Sequence, residues 1–155
     1  MEYNCGVIGL GRIGCGFDDD PKSKIINTHA GAYFNNKNTK LISLCDIDKS
    51  KLEKYSKKYM TKSKYQNFEK MFQNEELDCV SICTYAESHL EIVKAAVKNG
   101  IRAIFLEKPM SDPLKDASAI IKICEKHNTK LQIDHFRRFI PVYKKLAYKI
   151  KNGFY

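Results

Sequence analysis

The stretch CysGlyValIleGlyLeuGlyArgIleGly, residues 5–14, decides how the chain is built. Its first half is a short apolar run, and its second half is the pattern Gly9-Leu10-Gly11-Arg12-Ile13-Gly14. In a dinucleotide fold the first glycine of such a pattern makes the tight turn after a strand. The second lets backbone N–H groups approach a pyrophosphate, and the third permits close packing of helix on strand. The pattern gains weight from its surroundings, because a second apolar run, LysLeuIleSerLeuCys (40–45), ends in an acid, Asp46. A carboxylate there is placed to accept the ribose hydroxyls of the adenosine half.

Asp46 lies 32 positions beyond Gly14, where about 20 is usual. An inserted polar loop over residues 17–27 accounts for the excess if the helix restarts at Thr28. On that reading His29 is a structural residue, and the three aspartates at 18–20 form a solvated turn without a metal.

Working outward, the same alternation continues. CysValSerIleCys (79–83), AlaIlePheLeu (103–106) and LysLeuGlnIle (130–133) are further apolar runs, which makes five strands with 5–10 and 40–45. Such runs suit strands buried on both faces of a parallel sheet. Between them, Asp48 is placed to cap a helix to about Tyr59, and a shorter helix spans Phe68 to Phe72. Ser88 with Glu91 reads as a capping box for a helix that Gly100 closes. Asp112-Pro113 reads as the start of another, with Ala117, Ile120, Ile121 and Cys124 on one stripe. The expected fold is α/β, a doubly wound parallel sheet of the Rossmann type in three layers.

Composition sets the outer limits. At 155 residues and 17.9 kDa, 43% hydrophobic and 29% charged, the chain fits one packed domain rather than a disordered or multidomain protein. No apolar run approaches the roughly 18–20 residues that cross a bilayer, and the start lacks a secretory layout, so the expectation is a cytoplasmic protein with no membrane partner. The net charge of +9 comes from 23 Lys and only 4 Arg, scattered over helix faces. Without an arginine cluster, a recognition helix or a stacking platform, it argues against nucleic acid as a partner. Four of the six cysteines lie in strand-like runs and there is no Cys-x-x-Cys, so free buried thiols and no metal site are expected.

Two further strand ends point to the same edge of the sheet. One is Thr84-Tyr85-Ala86-Glu87-Ser88-His89 and the other is Glu107-Lys108-Pro109. The latter follows an apolar strand with no polar turn, so both side chains are expected at the rim of a crevice. A solvated lysine paired to Glu107 is the bland alternative.

Together with the glycine turn and Cys45-Asp46-Ile47-Asp48, these segments make the chain resemble the nucleotide-binding half of the glucose-fructose oxidoreductase, inositol dehydrogenase and MocA family. AspHisPheArgArgPheIleProValTyrLysLysLeu (134–146) resembles the passage into that family's cross-over helix. The resemblance implies a Rossmann domain over 1–135 and the beginning of a cross-over helix over 136–155, with the second domain outside this chain. It implies a nicotinamide cofactor, NAD in preference to NADP, with Gly9, Gly11, Arg12, Ile13 and Gly14 at the pyrophosphate and Asp46 at the ribose. Thr84, His89 and Glu107 would line the nicotinamide, and Lys108 would be catalytic, orienting a reacting hydroxyl or carbonyl of a polyol or sugar. The alternative function is a non-catalytic dinucleotide-binding module that docks a partner. Arg137 and Arg138 suit either ligand binding or a surface role. The Asp134-His135 pair is discounted as a dyad, since adjacent strand residues point to opposite faces. An apolar stripe on the last helix, Phe139, Ile140, Tyr143, Leu146 and Ile150, suggests self-association or a partner chain.

Overall fold

A computed structural model describes residues 2–154. Six parallel strands form one sheet: β1 (Tyr3–Ile8), β2 (Thr39–Cys45), β3 (Ser63–Tyr65), β4 (Cys79–Ile82), β5 (Ala103–Leu106) and β6 (Lys130–Ile133). Their order across the sheet is β3-β2-β1-β4-β5-β6. Chain order reverses between β1 and β4, which opens a crevice at the carboxyl ends of the two central strands. The helices are α1 (His29–Asn35), α2 (Lys49–Lys58), α3 (Phe68–Asn74), α4 (His89–Lys98), α5 (Leu114–Lys126) and α6 (Pro141–Lys151).

The sheet alternates between two cores, as strand pleating requires. Val7 and Leu44 join Ala30, Leu52, Tyr55 and Tyr59 of α1, α2 and their ends. The next residues along, Ile8 and Cys45, pack with Met71, Ile92, Val93, Ile120 and Cys124 of α3, α4 and α5. Five strands match the apolar runs, although Gly9, Leu10 and Cys83 fall just past the strand ends. The sixth, β3, escapes such a reading because Ser63-Lys64-Tyr65 is a polar edge strand, with one neighbour and little burial.

The helix ends are partly as expected. Asp48 caps α2 by accepting from the Ser50 and Lys51 N–H groups. Gly100, at φ 77°, closes α4 with paired bonds from Gly100 N to Val97 O and Ile101 N to Ala96 O, the αL termination only glycine adopts cheaply. Two proposed caps do not form. Ser88 turns its hydroxyl to Thr84 Oγ1 and the Tyr85 carbonyl instead of a helix N–H. Asp112 lies outside α5, which starts at Leu114 with no side-chain cap. On the α5 stripe Ile120 and Cys124 are buried, while Ile121 faces solvent. Among the described residues, no helix is long and apolar enough to cross a membrane, and all six cysteines are free thiols.

Candidate functional site

The glycine turn sits between the ends of β1, β2 and β4. Gly9 N donates to Cys45 O at 2.8 Å, and Cys83 N donates to Ile8 O at 2.7 Å. Gly9 has φ 87°, and a Cβ there would lie 2.7 Å from the Cys83 carbonyl. A Cβ on Gly14 would overlap the Gly9 carbonyl oxygen, whereas one on Gly11 would meet nothing within 4 Å. Two glycines are therefore required by the protein itself, and the middle one leaves open space. Among the described residues, none accepts a hydrogen bond from the N–H groups of Gly11, Arg12, Ile13 or Gly14. A row of uncommitted amide donors beside an open glycine is a cradle for a phosphate anion, so these residues fit the pyrophosphate of a dinucleotide.

Asp46 stands at the end of β2, half-buried, with one carboxylate oxygen accepting from Leu10 N at 2.6 Å and the other from Asp48 N at 2.9 Å. These bonds hold the acid against the glycine turn.

The inserted loop is spliced into a helix. His29 N and Ala30 N donate to Ile13 O and Gly14 O, sixteen positions back where a continuous helix uses four. Twelve residues are thus looped out, against eleven read from the sequence. Asp19 and Asp20 are exposed, as a solvated turn requires, but two of the three aspartates also pin the loop. Asp18 accepts from Thr28 Oγ1 and from Asn27 N, and Asp19 accepts from Lys54 Nζ, Lys58 Nζ and Tyr55 Oη at 2.7–2.8 Å. Burial alone would push the Asp19 carboxyl up, but these three donors outweigh it and hold it at about 2.

The ends of β4, β5 and β6 supply the remaining groups. Thr84 is half-buried and accepts from Ser88 Oγ. His89 is fully buried, and its ring nitrogens lie 3.1 Å from Met110 O and from Thr84 O. It fastens the loop after β4 to the loop after β5 and does not reach the cleft, which corrects its placement beside a nicotinamide. Glu107 also departs from expectation: it is 4% exposed and turned inward rather than projecting from the rim. Its Oε1 lies 3.2 Å from His29 Nε2, and its Oε2 accepts from Lys108 N at 3.1 Å. Lys108 alone projects into solvent at the rim.

His29 belongs to this group and was not legible as such. It is 6% exposed, packs tilted against Phe105 with ring centroids 4.8 Å apart, bonds Ser81 Oγ through Nδ1, and has Asp134 Oδ2 at 3.9 Å from Nε2. Asp134 therefore faces the cleft while His135 is exposed. Desolvation pushes both carboxyls up. In Glu107 the bonds from His29 and Asp134 outweigh it and keep the group below the ordinary value, and in Asp134 the neighbouring Glu107 adds to it and raises the group.

These residues line a cleft of about 1100 Å³ that reaches the glycine turn at Arg12 and Ile13 and includes His29, Glu107, Lys108 and Asp134. Phe136 and Phe139 form one wall, whereas Arg137 and Arg138 are exposed outside it.

This geometry agrees with what the chain is similar to. The sequence is 28% identical over 141 residues to D-apiose dehydrogenase of Paraburkholderia graminis, covering 91% of this chain and 36% of that protein. It is 28% identical over 148 residues to myo-inositol 2-dehydrogenase of Thermotoga maritima, covering 96% and 40%. In three dimensions it is similar to scyllo-inositol dehydrogenase from Lactobacillus casei with bound NAD(H) and scyllo-inositol, with a TM-score of 0.85, 22% identity, and coverage of 99% and 42%. The chain spans about two fifths of the length of these relatives. The profile of the GFO/IDH/MocA oxidoreductase family, NAD-binding Rossmann fold, matches residues 3–135. With that match over most of its length, the chain belongs to the GFO/IDH/MocA family of oxidoreductases and contains its NAD-binding Rossmann fold.

Proposed function

We propose that residues 1–135 are the cofactor domain of a dehydrogenase that moves hydride between NAD and a hydroxyl or carbonyl carbon of a sugar or cyclitol, and that 136–155 lead toward a second domain. The observation that carries this reading is the meeting of an open glycine turn and an exposed lysine at one cleft. The bound nicotinamide supplies the hydride chemistry. Gly11, Arg12, Ile13 and Gly14 offer amide donors to the pyrophosphate, and Gly9 shapes the turn. Asp46 accepts from the ribose, and its charge, with Asp48 beside it, disfavours a 2′-phosphate and hence NADP. Thr84 and Glu107 border the nicotinamide side, with His89 fixing the loop that presents Thr84. Lys108 is the catalytic residue: its ammonium stabilises the oxygen on which negative charge develops.

The last helix fits a role in assembly. Val142, Tyr143, Leu146 and Ile150 are 44–65% exposed, an apolar face that suits a second copy or a partner chain. Sedimentation is expected to show self-association that Leu146→Glu weakens.

The test of function has two parts. Calorimetric titration of the chain with NAD is expected to give saturable binding that Lys108→Ala leaves within about threefold. In an enzyme completed by a relative's second domain, in cis or in trans, Lys108→Ala is expected to lower kcat on the order of 100-fold or more with little change in NAD affinity. Absence of NAD binding, or equal turnover by the variant, overturns the reading.

A further inference from the structure

Away from the cleft, at the amino ends of the two central strands, a pair of cysteines stands face to face. Cys5 of β1 and Cys79 of β4 are register partners, so their side chains leave the sheet on the same face. Neighbouring strands lie about 4.7–4.9 Å apart, inside the roughly 4.4–6.8 Å between Cα atoms that a disulfide spans. Cys5 is 1% exposed, whereas Cys79 is only partly buried.

The hydrogen bonds around the pair aim two donors at one sulfur. Ser81 Oγ donates to Tyr33 Oη at 2.8 Å, and Tyr33 Oη lies 3.2 Å from Cys79 Sγ. With Ser81 donating to it, the phenol still has its own hydrogen to place, and among the described residues Cys79 Sγ is its remaining partner. A phenol is a better donor than a thiol, so Tyr33 donates to the sulfur. The Cys5 thiol is the second donor to Cys79, with the Tyr3 carbonyl as its other acceptor at 3.5 Å. Among the described residues, no oxygen besides Tyr33 Oη pairs with Cys79 Sγ, so a proton on that sulfur finds no acceptor.

Charge follows from this arrangement. The bond from Cys5, joined by the one from Tyr33, outweighs burial and the neighbouring Asp78 carboxylate and holds the Cys79 thiol at about 7. Asp78 is itself committed to Asn4 N–H and to the Arg102 guanidinium. The bond to Cys79, and then burial, pushes Cys5 far up. Burial pushes Cys15, Cys45, Cys83 and Cys124 up as well. Cys79 is the one thiol of the six held low, and the thiolate is the nucleophilic form of cysteine.

We propose that Cys79 is a peroxide-reactive thiolate and Cys5 its resolving thiol, so that a hydroperoxide converts the pair to a disulfide joining β1 to β4. With hydrogen peroxide, the Cys79 thiolate attacks one peroxide oxygen: a sulfur–oxygen bond forms, the oxygen–oxygen bond breaks, and the departing hydroxide takes a proton from solvent as water. Cys5 then attacks the sulfenic sulfur of Cys79. The sulfur–sulfur bond forms, the sulfur–oxygen bond breaks, and hydroxide leaves with the Cys5 proton as a second water. The two thiols are oxidised by two electrons, and the peroxide is reduced to two waters. The pair lies at the end of the sheet opposite Lys108, so the proposal stands independently of the cofactor reading.

The test treats the reduced chain with hydrogen peroxide and maps its cysteines by mass spectrometry. The expected product is a peptide pair linked through Cys5 and Cys79, lighter by two hydrogens and released by dithiothreitol. In Cys5→Ser the sulfenic acid on Cys79 is expected to accumulate and be trapped by dimedone. Labelling of Cys79 by iodoacetamide, followed against pH, should have its midpoint at about 7. Tyr33→Phe should move that midpoint up and slow labelling at pH 7 about fivefold. Circular dichroism checks that each variant folds, and if one does not, the wild-type map and the wild-type labelling profile decide. Cys79 left reduced by peroxide, Cys79 linked to any cysteine other than Cys5, or a labelling midpoint in the ordinary thiol range overturns the proposal.

Discussion

Two alanine substitutions in the same turn separate folding from ligand binding. At Gly14 a new Cβ overlaps the Gly9 carbonyl oxygen, a backbone atom that cannot swing aside as a flexible side chain would. Overpacking of this kind costs about 1–3 kcal/mol, and for a chain of this length each kcal/mol lowers Tm by about 2–4 °C. Gly14→Ala is therefore expected to melt about 5–10 °C below wild type, taking the upper part of that cost. At Gly11 the same methyl meets nothing within 4 Å, so stability should stay within about 1 kcal/mol of wild type. The methyl does occupy the space in front of the free amide donors. A clash there of about 1.4–2.8 kcal/mol corresponds to a 10–100-fold rise in Kd for NAD. Thermal melts by circular dichroism and calorimetric titration with NAD measure both. Unchanged NAD affinity in Gly11→Ala, or a wild-type melt for Gly14→Ala, refutes the assignment of roles to the two glycines.

Three more outcomes follow from other parts of the molecule. Asp19 is held at about 2 against an ordinary value of 3.8, so its contribution is present above about pH 4 and is lost as pH falls toward 2. With the side chain 29% exposed, screening reduces that contribution to about 1 kcal/mol, and urea melts should find Asp19→Asn weaker than wild type by that amount at pH 7 and equal to it near pH 2. His89→Ala removes a fully buried ring and its two carbonyl contacts, so a loss of about 2–4 kcal/mol is expected, with NAD affinity of the folded fraction within about threefold of wild type; a wild-type melt contradicts the fastening role. Asp46→Ala should narrow the preference for NAD over NADP in paired titrations, and tighter binding of NADP by the wild type rules out the ribose assignment.

Most of the scaffold was legible because its signals are local. Five strands announce themselves as apolar runs, and Asp48 and Gly100 cap helices through neighbours one to four residues away. What stayed hidden depends on distance along the chain. His29 meets Glu107 across 78 positions, and no spacing rule joins a helix start after an inserted loop to the end of a later strand. His89 sits at the expected edge in the sequence, yet its ring turns under the Met110 carbonyl. The Ser88 and Asp112 caps fail because each segment has a competing arrangement: Ser88 bonds back into its own turn, and the backbone after Asp112 stays extended through Pro113. β3 was hidden for the opposite reason, since a short edge strand needs little apolar surface to form.

The position of β1 between β2 and β4 also orders events during synthesis. β1 leaves the ribosome first and can pair with β2 early, but its other edge waits for β4, which begins at Cys79. At about 5–20 residues per second, the roughly 70 residues between them take on the order of 4–14 s. Over that interval β1 has an open hydrogen-bonding edge flanked by Val7 and Ile8, a hazard for pairing with other chains. The glycine turn cannot close sooner, because Gly9 takes its shape against the Cys83 carbonyl at the end of β4. Competence to bind a dinucleotide thus arrives together with the central strand pair, and a nascent chain that holds NAD is one whose sheet has already joined its two halves.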